Sequence, residues 1–202
     1  MKRQGLLLLV SALLLGCTAK VDNRYNVDIR WTSYGIPHVK AEDWGSLGYG
    51  FAYATATDGV CVFAREVARA NGTLSADFGE SDENLASDTF YRALVTPERV
   101  MKNAAAMSKN MRAYGAGFVA GYNRFINDQR QNLPAACAGE KWVRPISELE
   151  LGRMFIAFGI HYGTGNFAAG IAAAAPPGEP VAAVQLDYDV TPAIGSNAIA
   201  LG

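Results

Sequence analysis

Tyr114, Phe118, Tyr122 and Phe125 or Ile126 recur at spacings near four residues. A stripe of that period lies on one face of an α-helix. A helix of this kind owes most of its stability to burying the stripe against a neighbour, not to intrinsic propensity. Gly117 and Gly121 also lie four apart and leave room for a close helix approach. The aromatic stripe therefore reads as core and not as a ligand box, and it commits the chain to helix-on-helix packing.

An early stretch has the other period. Val27, Ile29 and Trp31 alternate with Asp28, Arg30 and Thr32, which is strand patterning. Tyr34-Gly35-Ile36-Pro37 supplies turn chemistry, and His38-Val39-Lys40-Ala41 reads as the returning strand of a hairpin. Beyond it the signals are helical. Asp43 is placed as a helix N-cap. Residues 44–57 are rich in glycine, and Gly45, Gly48 and Gly50 weaken a helix there unless it packs closely on a neighbour. A second helix is predicted over 58–70, with Val62, Ala64, Val67 and Ala68 available for a buried face and Asn71-Gly72 as its stop. Residues 73–86 are polar, contain Gly79 and read as loop. A short helix follows from Ser87-Asp88 to Leu94. Thr96-Pro97 is a cap followed by proline at the first helical position, opening an interrupted helix to about Gln131. After a loop with Pro134, Cys137, Gly139 and Pro145, Ser147-Glu148-Leu149-Glu150 matches a capping box. The helix it opens carries Leu151, Met154, Phe155 and Phe158 and fades at Gly159 or Gly163. The fold class expected is α+β, predominantly helical with an N-terminal β-hairpin.

The two ends differ in character from this body. Lys2 and Arg3 precede apolar residues 6–10 and 12–15, a run of signal-peptide length and short for a bilayer span. It ends at Leu14-Leu15-Gly16-Cys17, which resembles a bacterial lipoprotein box with Cys17 as the lipidated residue. The alternative is a plain signal peptide cut slightly further on. Either way residues 1–20 stand outside the fold, the rest is expected in the periplasm, and a lipid anchor to the membrane follows from the first alternative. At the other end, residues 171–180 are an Ala, Pro and Gly stretch with no amphipathic period, a linker composition. The text stops in an apolar, strand-like run after Ser196, so the chain is expected to be truncated. Net charge is −1 and no Lys or Arg follows Arg153, which gives no case for nucleic acid as a partner.

Three cysteines are present. With Cys17 set aside, Cys61 and Cys137 remain, a candidate disulfide in an oxidising compartment. A bridge closing so long a loop stabilises by roughly 4 kcal/mol on the chain-entropy account. In a reducing compartment the same residues are two buried thiols.

Several motifs carry a resemblance. Ile29-Arg30-Trp31-Thr32-Ser33-Tyr34-Gly35-Ile36-Pro37-His38-Val39 is similar to the opening of the penicillin acylase family, in particular its acyl-homoserine-lactone acylase and aculeacin-type branch. The likeness continues, in order, through Leu47-Gly48-Tyr49-Gly50-Phe51-Ala52-Tyr53-Ala54, Asp58, Ser87-Asp88-Thr89-Phe90-Tyr91, Gly121-Tyr122-Asn123-Arg124-Phe125 and Gly195-Ser196-Asn197-Ala198-Ile199-Ala200. The resemblance implies an exported precursor that cuts itself twice. Residues 24–170 would be an α-chain, 171–195 an excised spacer, and 196–202 the start of a β-chain that is the partner of the α-chain. Together the two chains form an αββα N-terminal-nucleophile hydrolase fold, incomplete here. Cleavage between Gly195 and Ser196 would make Ser196 the catalytic nucleophile.

The chemistry explains why a cut is needed. A serine hydroxyl is a poor nucleophile without an adjacent base. At a chain terminus the residue's own α-amine, with a reference pKa of about 7.7–8.0, serves as that base near neutral pH. On the residues alone, Gly195-Ser196-Asn197 between apolar runs is also an ordinary turn.

Met154 and Phe158 resemble acyl-pocket positions of the family, with core packing as the alternative for an apolar stripe. His38 reads as structural, since the family uses no histidine base, and His161 as a surface or packing residue. Neither histidine has metal-ligand neighbours at suitable spacing, so no metal or other cofactor is expected. The family's α-chain calcium residue finds no clear match, and its oxyanion-hole groups lie in the β-chain. The function implied is hydrolysis of linear acyl amides through an acyl-enzyme, on an acyl-homoserine lactone, a lipopeptide or a β-lactam side chain. The 202 residues alone are expected to be inactive. The alternative is a non-catalytic lipoprotein remnant of such an enzyme.

Overall fold

The computed structural model describes residues 24–175 and 178. The period-two stretch forms the expected antiparallel hairpin, β1 (Val27–Trp31) paired with β2 (Pro37–Ala41), Ile29 opposite Val39 and Arg30 opposite His38. Thr32 ties the turn by accepting bonds from Tyr34 N and Ile36 N. His38 is exposed, on the strand face away from Val39.

Helix α1 runs from Trp44 to Asn71. Asp43 caps it, accepting from Ser46 N at 2.8 Å and from Ser46 Oγ at 2.7 Å. The buried Ser46 Oγ in turn accepts from Asn26 N, which ties the entry of the hairpin to the helix. The two helices expected over 44–57 and 58–70 are thus one element. The break between them survives as a kink, because Gly59 leaves helical geometry (φ −151°, ψ 40°) while the flanking turns continue. Gly72 ends the helix at φ 66°, ψ 47°, a left-handed conformation that favours glycine.

Residues 73–86, read as loop, contain α2 (Leu74–Phe78) and the first turn of α3 (Asp82–Leu94). The correction has a local cause. The Asp88 side chain is buried and its carboxylate accepts from Leu74 N at 2.8 Å and Ser75 N at 3.0 Å. A carboxylate from the following helix thereby satisfies the free amides that open α2. Ser81 caps α3 by accepting from Asn84 N, five residues ahead of the predicted end of the loop.

Helices α4 (Pro97–Ala106) and α5 (Lys109–Gln129) come next, separated where Met107 turns extended and Ser108 caps α5. Phe118, Tyr122, Phe125 and Ile126 are all buried, so both residues at the end of the stripe face the core. Their partner is α1. A Cβ added at Gly117 would fall 1.9 Å from the Gly45 carbonyl oxygen, and one at Gly121 2.0 Å from the Tyr49 carbonyl oxygen. The glycine-rich half of α1 and the glycines of α5 are therefore the two sides of one interface, with backbone against backbone. Ala52, Ala56, Val60, Ala64 and Val67 of α1 complete this core.

The segment joining α5 to α6 (Glu148–His161) is held at two points. Asn123 accepts from Ile146 N at 2.7 Å and donates to Ile146 O at 2.8 Å. Cys61 and Cys137 form a disulfide with Cα atoms 5.6 Å apart, tying α1 just beyond its kink to the loop. The Ser147–Glu150 capping box is complete. Past α6, a 3-10 turn (Thr164–Phe167) leads to α7 (Ala168–Ala172), which packs on α3. The first two residues of the expected spacer, Ile171 and Ala172, are therefore helical. A second core gathers Phe90, Tyr91, Val95, Val100 and Ala157, and Met154 packs against both cores.

Candidate functional site

Helix α6 positions the site, because its entry is rigid. Glu150 accepts from Ser147 N and Oγ, both at 2.9 Å, from Arg144 at 2.7 Å and from Asn71 Nδ2 at 3.0 Å. Asn71, the last residue of α1, accepts in turn from Arg153 on α6. Burial works against the charge on Glu150. The Arg144 guanidinium and the Ser147 donors outweigh it and hold the carboxyl down to about 2. The start of α6 is thus bound to the end of α1 by charged hydrogen bonds, with the Glu150 side chain 15% exposed.

From that entry the helix presents two faces. Leu151, Met154 and Ala157 turn inward, Leu151 and Ala157 fully buried. Phe155 and Phe158 turn outward, 46% and 67% exposed. Among the described residues Phe158 is not part of either core. Met154 and Phe158 meet at a concavity of about 300 Å³ between α1, α3 and α6. Val62 and Tyr162 add apolar wall. Tyr162 stacks edge-on against Phe158 (centroids 5.4 Å apart) and against His161 (5.1 Å).

Four polar side chains share the same hollow: Glu66, Arg69, Tyr91 and His161. Glu66 and Arg69 pair with each other at 3.1 Å. Tyr91 is 3% exposed, and its hydroxyl lies 3.5 Å from His161 Nδ1, a long and weak contact. Burial pushes the Tyr91 hydroxyl up from its ordinary value, the Arg69 charge opposing and the Glu66 charge adding to the shift. His161, expected as a surface or packing residue, is a half-buried member of this site. The spacing held the clue: Met154, Phe158 and His161 are four and then three residues apart, one helix face. Tyr91 stood inside a quoted motif with no role attached.

Ser196, Gly195 and Cys17 lie outside the described residues, so of the predicted site residues the structure places only Met154 and Phe158, beside one hollow, and the bonded pair Cys61 and Cys137. Among the described residues no group of three or more His, Cys, Asp or Glu side chains is placed to hold a metal ion. Among them, too, no helix is long and apolar enough to cross a membrane.

The chain is 37% identical to an acyl-homoserine lactone acylase PvdQ of Pseudomonas putida, over 88% of this chain and 25% of that protein. It is 37% identical to the aculeacin-A acylase of Actinoplanes utahensis, over 90% of this chain and 26% of that one. The chain thus spans about a quarter of the length of these curated relatives. In structure it resembles a thermostable penicillin G acylase from Alcaligenes faecalis, with a TM-score of 0.61 and 26% identity over 69% of this chain and 75% of that one. The hairpin and helical body are therefore part of an N-terminal-nucleophile hydrolase architecture. The Penicillin amidase family model matches from Asn26, at the foot of the hairpin, through the α6 concavity to Gly202, and with this match the chain belongs to the penicillin amidase family.

Proposed function

We propose that this chain supplies the α-chain and the cleavage site of an exported acylase that hydrolyses linear acyl amides, with Ser196 as its nucleophile. The observation that carries the reading is the family match over residues 26–202, which spans both the α6 concavity and Ser196. Residues 24–170 are the α-chain, 171–195 the spacer, and Ser196 opens the β-chain. Cleavage of the Gly195–Ser196 bond converts an amide nitrogen, which is no base, into an α-amine. That amine takes the proton from Ser196 Oγ as the oxygen attacks the substrate carbonyl carbon. The proton then passes to the leaving amine nitrogen as the carbon–nitrogen bond breaks. Water attacks the resulting ester and gives its proton to the same α-amine; that proton returns to Ser196 Oγ as the acyl carbon–Oγ bond breaks and the acid is released.

The acyl group rests against Met154 and Phe158. What supports this is a hollow with an apolar wall of Val62, Met154, Ala157 and Phe158, of which Phe158 is 67% exposed. Acyl-homoserine lactones and acylated peptides are substrate classes consistent with the names of the relatives. Export directed by a signal within residues 1–20 is supported by the Cys61–Cys137 bond, a type that persists in oxidising compartments, and Cys17 is the residue that would carry a lipid anchor.

The test is Ser196→Ala in the protein expressed from the whole gene. The expected product is an uncut precursor that hydrolyses no acyl amide. Normal two-chain processing or retained turnover by this variant would refute the assignment.

A further inference from the structure

Helices α4, α5 and α6 enclose a groove of about 340 Å³ that shares no lining residue with the hollow at Met154 and Phe158. Its wall is apolar, built from Met101, Met107, Met111, Leu149, Phe155 and Ile156. Met101, Met111, Leu149 and Phe155 are exposed. Helix α4 rests on α6 through Val100, its buried residue, which seats over Gly152; a Cβ there would fall 2.4 Å from Val100 Cγ1. The rim is cationic. Residues 97–112 carry Arg99, Lys102, Lys109 and Arg112 against one acid, Glu98, in a chain of net charge −1. All four cations are exposed, and among the described residues none is paired with a carboxylate. Glu148 is the acidic residue that lines the groove. An adjoining pocket, lined by Arg24 and Tyr25, shares Ala116 and Glu148 with the groove, so the chain enters the fold beside it. Cys17 precedes Arg24 by seven residues, a reach of at most about 25 Å.

We propose that this groove and its rim are a membrane-docking face, on which exposed Met101, Met111, Leu149 and Phe155 enter the headgroup–acyl boundary of an anionic phospholipid bilayer while Arg99, Lys102, Lys109 and Arg112 meet its phosphates. An exposed apolar patch marks an interaction site. A second protein chain is the poorer occupant, because the buried centre of such an interface is depleted in charge and in lysine above all. Apolar side chains ringed by unpaired cations are what an anionic bilayer surface takes. A lipid at Cys17 would bring this face to the bilayer, and the face binds there in its own right.

The experiment uses the full-length processed enzyme, carrying Cys17→Ser and exported behind a leader that leaves no lipid. It is sedimented with vesicles of phosphatidylcholine alone, or of phosphatidylcholine and phosphatidylglycerol in equal parts. Binding to the anionic vesicles is expected to be at least about tenfold the stronger, and to weaken as salt rises. Each cation at the surface strengthens binding about fivefold, so Lys102→Ala with Lys109→Ala is expected to weaken it about 25-fold. Lys40→Ala with Lys141→Ala removes the same charge from exposed residues that do not line the groove, and is expected to change binding by no more than about twofold. Met101→Ser with Met111→Ser is expected to cost about tenfold; both side chains are exposed, so the fold is kept. Equal binding to the two vesicles, or none, overturns the proposal, and none is the result that a groove covered by the β-chain or by another protein gives. Equal losses from the two lysine pairs, or a methionine pair that binds like the parent, overturn it as well. The mass of the native mature chain reads the anchor separately: a chain without lipid on Cys17 overturns that reading alone, and a lipidated chain whose Cys17→Ser form ignores anionic vesicles overturns this inference alone.

Discussion

Adding one methyl group to Gly121 should unfold more of this protein than its size suggests. The new Cβ would lie 2.0 Å from the Tyr49 carbonyl oxygen and 2.7 Å from its carbon. These are backbone atoms inside α1, so no side-chain rotation relieves the clash, and the helices must part by about 1 Å or more. Parting them loosens the contacts of Phe118, Tyr122 and Phe125 with the alanine face of α1. Overpacking of this kind costs about 3 kcal/mol. Alanine returns about 1 kcal/mol through its better helix propensity, leaving a net loss of about 2 kcal/mol. Gly115→Ala is the control. It sits on the same helix, and its Cβ would meet only Leu151 Cδ2 at 3.9 Å, an ordinary contact. That variant should gain about 0.5–1 kcal/mol from propensity alone. Urea unfolding followed by far-ultraviolet circular dichroism reads both as midpoint shifts at constant slope. Opposite signs are expected. If Gly121→Ala is neutral or stabilising like Gly115→Ala, α1 and α5 do not meet backbone to backbone.

Other consequences are checked in the same way. Replacing both Cys61 and Cys137 with serine removes a cross-link spanning 76 residues, and the urea midpoint should fall by the equivalent of about 4 kcal/mol; thiol titration of the denatured, unreduced protein should find neither cysteine free. Glu150 has a folded pKa depressed to about 2 from a reference of 4.5. The stability it contributes is therefore fully present above about pH 4.5 and lost as pH falls through 2, an effect of about 2–3 kcal/mol. Glu150→Gln should flatten that acid limb of a stability-against-pH curve, and an unchanged limb would contradict the assignment. Asn123→Ala strands the buried amide and carbonyl of Ile146 and should cost about 1–3 kcal/mol, with faster hydrogen exchange in the 130–147 segment.

Much of the fold is written in local signals. Asp43, Thr96, Ser108 and Ser147 each accept from the amide three residues on, and Gly72 takes the left-handed turn. The hairpin, the buried stripe of α5 and the cysteine pair follow from period and composition. The misreadings share one cause: the deciding partner is distant in sequence. The start of α2 depends on Asp88 of the next helix, so a polar run with Gly79 looked like loop. The glycines of α1 read as a weak helix because their compensation, Gly117 and Gly121, lies some seventy residues on. The candidate site divides in the same way. Met154 and Phe158 are legible through family resemblance, and His161 lies on their helix face. Tyr91 joins them only because α3, packed on α1 and α7, brings its hydroxyl beside His161, a tertiary fact with no local trace. The clearest chemical signal in the text, Gly195-Ser196, is legible only as a motif, since it falls outside the described residues.

The central claim is that Ser196 becomes a chain terminus. The most direct measurement is the N-terminal sequence of every polypeptide in the protein expressed from the whole gene. The account predicts a chain beginning Ser196-Asn197-Ala198 beside a smaller one that contains the hairpin and α1 to α6. A preparation with no N-terminus at Ser196 would contradict it, whatever the strength of the family likeness.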